Sequence, residues 1–189
     1  MSTGTDAIKL PVRKGSALKE IRAAIRDVPD FPKPGVLFKD ITPVLKDPRL
    51  FARVIDLLAE RYHGQHIDKI VAIESRGFIF GAPLSRVLGA GLIPLRKQGK
   101  LPYDTISESY DLEYGSATLE LHKDAIEPGD KVLLVDDLLA TGGTARASAN
   151  LVRTLGGEVI EAAFLLELKF LEGRSRLDGV PVYAMIEYD

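Results

Sequence analysis

Val132-Leu133-Leu134-Val135-Asp136-Asp137-Leu138-Leu139-Ala140-Thr141-Gly142-Gly143-Thr144-Ala145 opens as an apolar strand, reaches two adjacent carboxylates and passes through small residues into a helix that begins at Thr144. Each part has a chemical use. Gly142 and Gly143 let the backbone approach an anion closely, and the unspent N–H groups at a helix start hold a phosphate. Thr141 and Thr144 add hydroxyl donors, and Asp136 and Asp137 stand where a sugar joined to that phosphate would follow, ready to accept from vicinal hydroxyls. A phosphate site at one end and a diol site at the other describe a pocket for a ribose 5-phosphate. A strand ending in carboxylates also suits the magnesium-binding strand of P-loop ATPases, but no G-x-x-x-x-G-K-[ST] run occurs in the chain. The absence of G-x-G-x-x-G removes the main support for dinucleotide binding.

Outward from this stretch, short apolar runs recur at Lys69-Ile73, Leu92-Leu95, Lys131-Val135, Val159-Leu166 and Val182-Ile186. Bounded by Gly, Pro or charge, they read as buried parallel strands. Helical patterns over Gly77-Leu88 and Thr144-Leu155 separate them, so strand, helix, strand repeats and predicts an open, mainly parallel α/β sheet flanked by helices on both faces. Ligands then belong beyond the carboxyl ends of the strands. Toward the N-terminus, Ser16 is placed to cap a helix carrying Leu18, Ile21, Ile25 and Val28, which Pro29 stops. Phe31 to Pro43, rich in proline, reads as an extended covering segment, and Asp47-Pro48 starts a helix with the apolar stripe Phe51, Val54, Ile55 and Leu58. Gln98 to Tyr114 is polar and long for a routine connection, which suits a lid or a plain surface loop. Thr118 to His122 alternates strictly, so a hairpin is expected there.

Composition narrows the function. Among 189 residues, 46% are hydrophobic and 28% charged, as in a globular domain rather than a disordered chain. The formal net charge of -2 argues against a broad nucleic-acid footprint, which needs clustered Lys and Arg. There is no cysteine, which excludes disulfides, thiolate zinc sites and a thiol nucleophile. Met1 to Leu10 lacks the apolar core of a signal peptide and no run approaches the roughly 20 apolar residues of a membrane span, so a soluble cytoplasmic protein is expected, with no membrane partner.

The run from Val132 to Ala145 resembles the phosphoribosyl-diphosphate signature of the type I phosphoribosyltransferases, and other segments agree in order along the chain. Phe31-Pro-Lys-Pro34-Gly35-Val-Leu37-Phe38-Lys39-Asp40-Ile-Thr-Pro43 is similar to the base-covering segment of the adenine-using branch, and Glu74-Ser75-Arg76-Gly77-Phe78-Ile79-Phe80-Gly81 to its diphosphate loop. Arg96-Lys97-Gln98-Gly99-Lys100-Leu-Pro102 and Ser109-Tyr110-Asp-Leu-Glu113-Tyr114-Gly115 resemble the two ends of its flexible loop. The resemblance implies a base-covering piece over residues 1–45, a catalytic core over 46–189 with a flexible hairpin lid at 97–115, and transfer of a phosphoribosyl group to adenine with release of AMP and diphosphate. It implies catalytic roles for Glu113, as base for the purine nitrogen, and for Arg76. Donor or AMP contacts are implied for Ser75, Arg76, Arg96, Lys97, Lys100, Tyr114, Asp136, Asp137, Ala140, Thr141, Gly142, Gly143 and Thr144, and adenine contacts for Leu37, Phe38 and Lys39. A cis Glu74-Ser75 peptide and a homodimer, in which the Arg96 region reaches the neighbouring site, come with it. Magnesium is implied as carried by the donor and water-bridged to Asp136 and Asp137, not held directly. Two departures stand out: Glu74 where the family pattern has Asp, and Lys39 where Arg is common. Another purine as acceptor, or a regulator that senses the donor, are the alternatives; no basic arm or added DNA-binding helix favours the regulator.

Overall fold

In a computed structural model, which describes residues 14–111 and 116–189, the apolar runs pair into one seven-stranded sheet. The chain divides into two units, Met1–Leu57 and Leu58–Asp189.

In the first unit, α1 (Lys14–Ala24) buries Ala17 and Ile21, one helical turn apart, and is followed by the strand β1 (Arg26–Val28). The helix expected to run from Ser16 to Val28 therefore stops short. Val28 precedes Pro29, whose ring pushes the residue before it into extended backbone, and it pairs instead with Phe38 of β2 (Phe38–Asp40). Ser16 lies inside α1 and donates to Glu20 Oε1 at 3.1 Å rather than capping the helix. After α2 (Thr42–Lys46), α3 (Pro48–Tyr62) starts as expected: Asp47 Oδ1 accepts from the backbone N–H of Arg49 at 2.9 Å, with Pro48 at the first helical position. The division between the units falls within α3.

The second unit holds β3 (Lys69–Ile73), α4 (Gly77–Leu88), β4 (Gly91–Lys97), β5 (Thr105–Asp111), β6 (Ser116–His122), β7 (Lys131–Leu139), α5 (Gly143–Thr154), β8 (Glu158–Leu168) and β9 (Val182–Tyr188). The sheet order is β5-β6-β4-β3-β7-β8-β9. The last five of these are mutually parallel, and the β5–β6 hairpin joins antiparallel through Arg96↔Glu120 and Lys97↔Leu119. Central β3 buries Ile70, Val71, Ala72 and Ile73 almost completely, which is why it reads as an unbroken apolar run. Val71 and Ile73 share a core with Ala145, Ala149 and Val152 of α5. The alternate residues Ile70 and Ala72 meet α4 at Gly81, where even a methyl group would sit 2.6 Å from Ala72 Cβ. The two helices thus cover opposite faces of β3. Burial of each such Val, Leu or Ile stabilises by about 1.5–3 kcal/mol, so this core dominates the fold's stability. Within the polar stretch from Gln98 to Tyr114, Thr105–Asp111 form the edge strand β5, whose alternation is masked by Ser, Glu and Asp on an edge that needs only one apolar face.

Chain order and sheet order together fix the site. From β3 the chain crosses to β4 on one side, whereas β7, β8 and β9 build out on the other, so the direction of winding changes between β3 and β7. A crevice opens at such a point beyond the strand ends.

Candidate active site

At this crevice β3 gives way to Glu74-Ser75-Arg76, with a cis Glu74-Ser75 peptide, and α4 begins at Gly77. Gly77 permits a close approach: a Cβ there would lie 2.6 Å from the carbonyl oxygen of Val135 and 3.2 Å from Asp136 Oδ1. On the facing strand, β7 does not end at Val135 as expected but continues to Leu139, since Leu138 and Leu139 pair with Leu166 and Glu167 of β8. Asp136 and Asp137 are therefore strand residues, and both carboxyls line the crevice beside the Glu74–Gly77 turn. Asp137 is buried and takes Arg76 Nε at 2.8 Å, while Asp136 Oδ1 accepts the backbone N–H of Asp137 at 2.8 Å. Burial pushes both carboxyls above the usual aspartate range; the neighbouring Asp137 charge adds to this at Asp136, and Arg76 partly offsets it at Asp137. Such a pair is suited to partners that bring hydrogen-bond donors or positive charge.

The adjoining loop has the features an anion site needs. Gly142 has φ 81° and caps α5 at its N-terminus, and no side chain caps the helix. The first N–H groups of α5 have no acceptor within the helix and face a hollow of about 80 Å³ lined by Ala140, Thr141, Gly142, Gly143 and Thr144. The helix begins at Gly143, one residue before the expected Thr144, because the left-handed Gly142 turns the chain into it. Thr144 Oγ1 donates to Tyr110 Oη at 3.1 Å, tying the loop to β5.

Next to this hollow lies a cleft of about 500 Å³, a size typical of small-molecule sites. Ser75, Arg76, Lys97, Lys100, Asp136, Asp137 and Thr144 line it, joined by Glu74, Tyr110 and Leu119. The expected donor-site residues from both strand ends and from the β4 end thus meet. Arg96 takes part through Glu74, its Nε 3.4 Å from Glu74 Oε2, and its guanidinium donates to Lys100 O at 2.9 Å. Leu37, Phe38 and Lys39 lie in the first unit, where the Phe38 ring meets Phe31 edge-on at 5.1 Å and Lys39 Nζ pairs with Asp27 Oδ1 at 2.6 Å. Glu113 and Tyr114 lie outside the described residues.

Glu74 is the residue whose part the sequence did not reveal. Its carboxylate binds Lys100 Nζ, accepts the Lys97 N–H at 2.9 Å and faces Arg96, so one acid organises the cations along the cleft. Burial alone would raise its pKa, but Lys100, the Lys97 N–H and Arg96 outweigh it and hold the carboxyl below the usual glutamate range. A carboxyl depressed in the folded state stabilises fully above its unfolded value of about 4.3 and loses that contribution as pH falls through the folded value. Glu74→Gln should cost about 1 kcal/mol at pH 7, since Lys100 and Arg96 are partly solvated. Thermal melts then show a gap of about 2–4 °C at pH 7 that narrows as pH falls below about 4.3 and closes once the folded carboxyl is protonated. A gap of equal size at every pH would make the residue's part steric rather than ionic. Tyr110 and Glu120, whose Oε2 accepts the Gly99 N–H at 2.8 Å, were likewise hidden by their place in the hairpin.

A small hollow at a helix start, a pair of adjacent carboxylates and a cationic cleft at the switch point of a parallel sheet are the arrangement expected of the type I phosphoribosyltransferases. The phosphoribosyl transferase domain model matches residues 41–179. The chain is 56% identical over 169 residues to the adenine phosphoribosyltransferase of Myxococcus xanthus, covering 89% of this chain and 92% of that protein. It is 53% identical over 171 residues to that of Trichlorobacter lovleyi, covering 90% of this chain and 100% of that protein. The crystal structure of the Thermoanaerobacter pseudethanolicus enzyme superposes with a TM-score of 0.88 at 55% identity over 90% of this chain and 99% of that one. The Saccharomyces cerevisiae enzyme, solved with adenine and an imino-altritol bisphosphate, gives 0.86 at 43% identity, with 90% and 99% covered. The chain belongs to the adenine phosphoribosyltransferase family.

Proposed function

We propose that this chain transfers the 5-phosphoribosyl group of phosphoribosyl diphosphate to adenine, giving AMP and diphosphate in purine salvage. The observation that carries the reading is the hollow at residues 140–144 adjoining a cationic cleft, the two sharing Asp136 and Thr144 in their walls. The nest takes the 5-phosphate, and the two carboxylates accept the ribose hydroxyls. Ser75, Arg76, Lys97 and Lys100, with Arg96, face the diphosphate, on which negative charge grows as the bond from C1 to the leaving oxygen breaks. The new bond forms from C1 to the adenine ring nitrogen, whose proton passes to Glu113.

Among the described residues no group of three or more His, Cys, Asp or Glu side chains could cage a metal ion. Two carboxylates beside substrate phosphates are, however, a donor set that suits a hydrated magnesium ion. Magnesium is proposed to arrive with the donor and to neutralise the diphosphate, with Asp136 and Asp137 as the residues that would hold its water shell.

Leu37, Phe38 and Lys39 are proposed to contact adenine, with the Phe38 ring as a stacking face and main-chain groups reading the 6-amino edge. Tyr114 is assigned to donor binding, residues 1–45 to covering the base, and 97–115 to a lid that excludes water from the activated sugar. A homodimer in the cytoplasm completes the proposal. No helix among the described residues is long and apolar enough to cross a membrane. AMP formation from adenine, donor and magnesium, run beside hypoxanthine, guanine and xanthine and a magnesium-free control, tests it. Turnover with adenine only, and only with magnesium, is expected. Turnover with another base alone would remove the adenine assignment, and no turnover with any base would favour a donor-sensing regulator.

A further inference from the structure

The connection from β8 to β9 passes against the back of the loop at residues 140–142. A Cβ on Gly142 would lie 2.3 Å from the Gly173 carbonyl oxygen, and one on Gly173 would lie 2.2 Å from Ala140 O and 3.1 Å from Gly142 N. The two glycines are required for different reasons. Gly142 has a positive φ as well as no space, whereas Gly173 does not have a positive φ and is kept from bearing a side chain by the loop's own backbone, with Leu139 Cδ1 also at 3.1 Å. Backbone atoms cannot swing aside as a side-chain end can, so any Cβ at position 173 must move the loop.

What holds Gly173 in place is its neighbour. Arg174 Nε donates to both Glu167 carboxylate oxygens at 2.7 and 2.8 Å, and other guanidinium nitrogens reach Val182 O at 2.9 Å and Glu187 Oε1 at 3.0 Å. The Glu167 side chain is 2% exposed and stands in register with Leu139, the last residue of β7 before the loop. A forked ion pair from the part-exposed Arg174 to the buried Glu167 of β8 therefore ties the segment that touches the loop to the sheet.

We infer that Gly173, held by Arg174, is a positioning residue: its backbone is the rear wall that sets the anion nest at the height a phosphate monoester needs. The inference rests on the reading of residues 140–144 as the 5-phosphate site. It assigns a part in donor binding to a segment that touches no reacting atom, and the ligand end it governs is the phosphate of the donor and of the product nucleotide.

The test uses the full chain, with ribose 5-phosphate as the binding probe in calorimetry and initial rates against donor and adenine. Gly173→Ala is expected to weaken ribose 5-phosphate binding and raise the donor KM by about tenfold or more, the effect of about 1.4 kcal/mol of lost fit. The adenine KM should stay within about twofold and kcat within about threefold, because the adenine contacts and the base are not moved. Gly179→Ala is the control: Gly179 lies in the same connection with φ 70° and only Arg153 Nη2, at 3.9 Å, near its Cβ position, so the substitution lowers the melting temperature without changing ribose 5-phosphate affinity. Should Gly173→Ala fail to fold, Arg174→Lys keeps the charge while losing the forked geometry, and is expected to weaken ribose 5-phosphate binding by about threefold or more. Wild-type affinity in folded Gly173→Ala, or in Arg174→Lys where that variant stands in, overturns the inference alone. A wild-type chain that does not bind ribose 5-phosphate overturns the reading of the loop and the inference with it.

Discussion

Asp137→Asn raises the KM for phosphoribosyl diphosphate by about 10- to 100-fold, the equivalent of losing one charge-assisted hydrogen bond of about 1.5–3 kcal/mol. The substitution keeps the shape of the side chain but lowers its acceptor strength and its charge at the point where the ribose is proposed to lie. Two opposing effects act on stability. Asn removes a carboxyl whose burial already disfavours its charged form, and it also deprives Arg76 of its partner at 2.8 Å. The Arg76 side chain is 41% exposed, so water takes over much of that lost interaction. The first effect wins, and the ligand-free variant should melt at or slightly above the wild-type temperature at pH 7. The sign follows from the raised pKa: the wild-type carboxyl helps the fold while protonated, below its unfolded value of about 3.9, and loses that help as pH rises through the folded value. The advantage of Asn should therefore vanish near pH 4. Initial rates over a donor series, with melts at both pH values, check this. An unchanged donor KM would separate Asp137 from the ribose.

Glu113→Gln is expected to lower kcat by about 10²- to 10⁴-fold while leaving the donor KM near its wild-type value, because an amide cannot take the proton that adenine must lose. A base acting only in the transition state affects turnover rather than binding. Rapid-quench measurement of AMP formed in a single turnover isolates the chemical step from product release. Full single-turnover rate in the variant would assign the proton to another acceptor.

How much of this was legible in the sequence depended on the range of each interaction. The buried strands were visible because the central strands of a parallel sheet carry apolar residues on both faces, as β3 does. The anion nest was visible because Gly142, Gly143 and Thr144 are neighbours in the chain and their backbone needs are local. Val28 was misread because an apolar residue at helical spacing also fits a short strand, and only its pairing with Phe38 decides between them. The extent of β7 past Asp137 depends on β8 and could not be read from β7 alone. Glu74 appeared as a small departure from a pattern, since its partners Lys97 and Lys100 lie 23 and 26 residues away and meet it only when β4 lies beside β3. Gly173 gave no signal, because the atoms that exclude its side chain belong to a loop before the preceding helix and strand.

A crystal structure of the chain with AMP tests the central claim most directly. The account predicts the 5-phosphate against the N–H groups of residues 141–144, and the ribose hydroxyls within hydrogen-bond distance of Asp136 and Asp137. A phosphate seated instead among Ser75, Arg76 and Lys97, with the ribose away from both carboxylates, would contradict it.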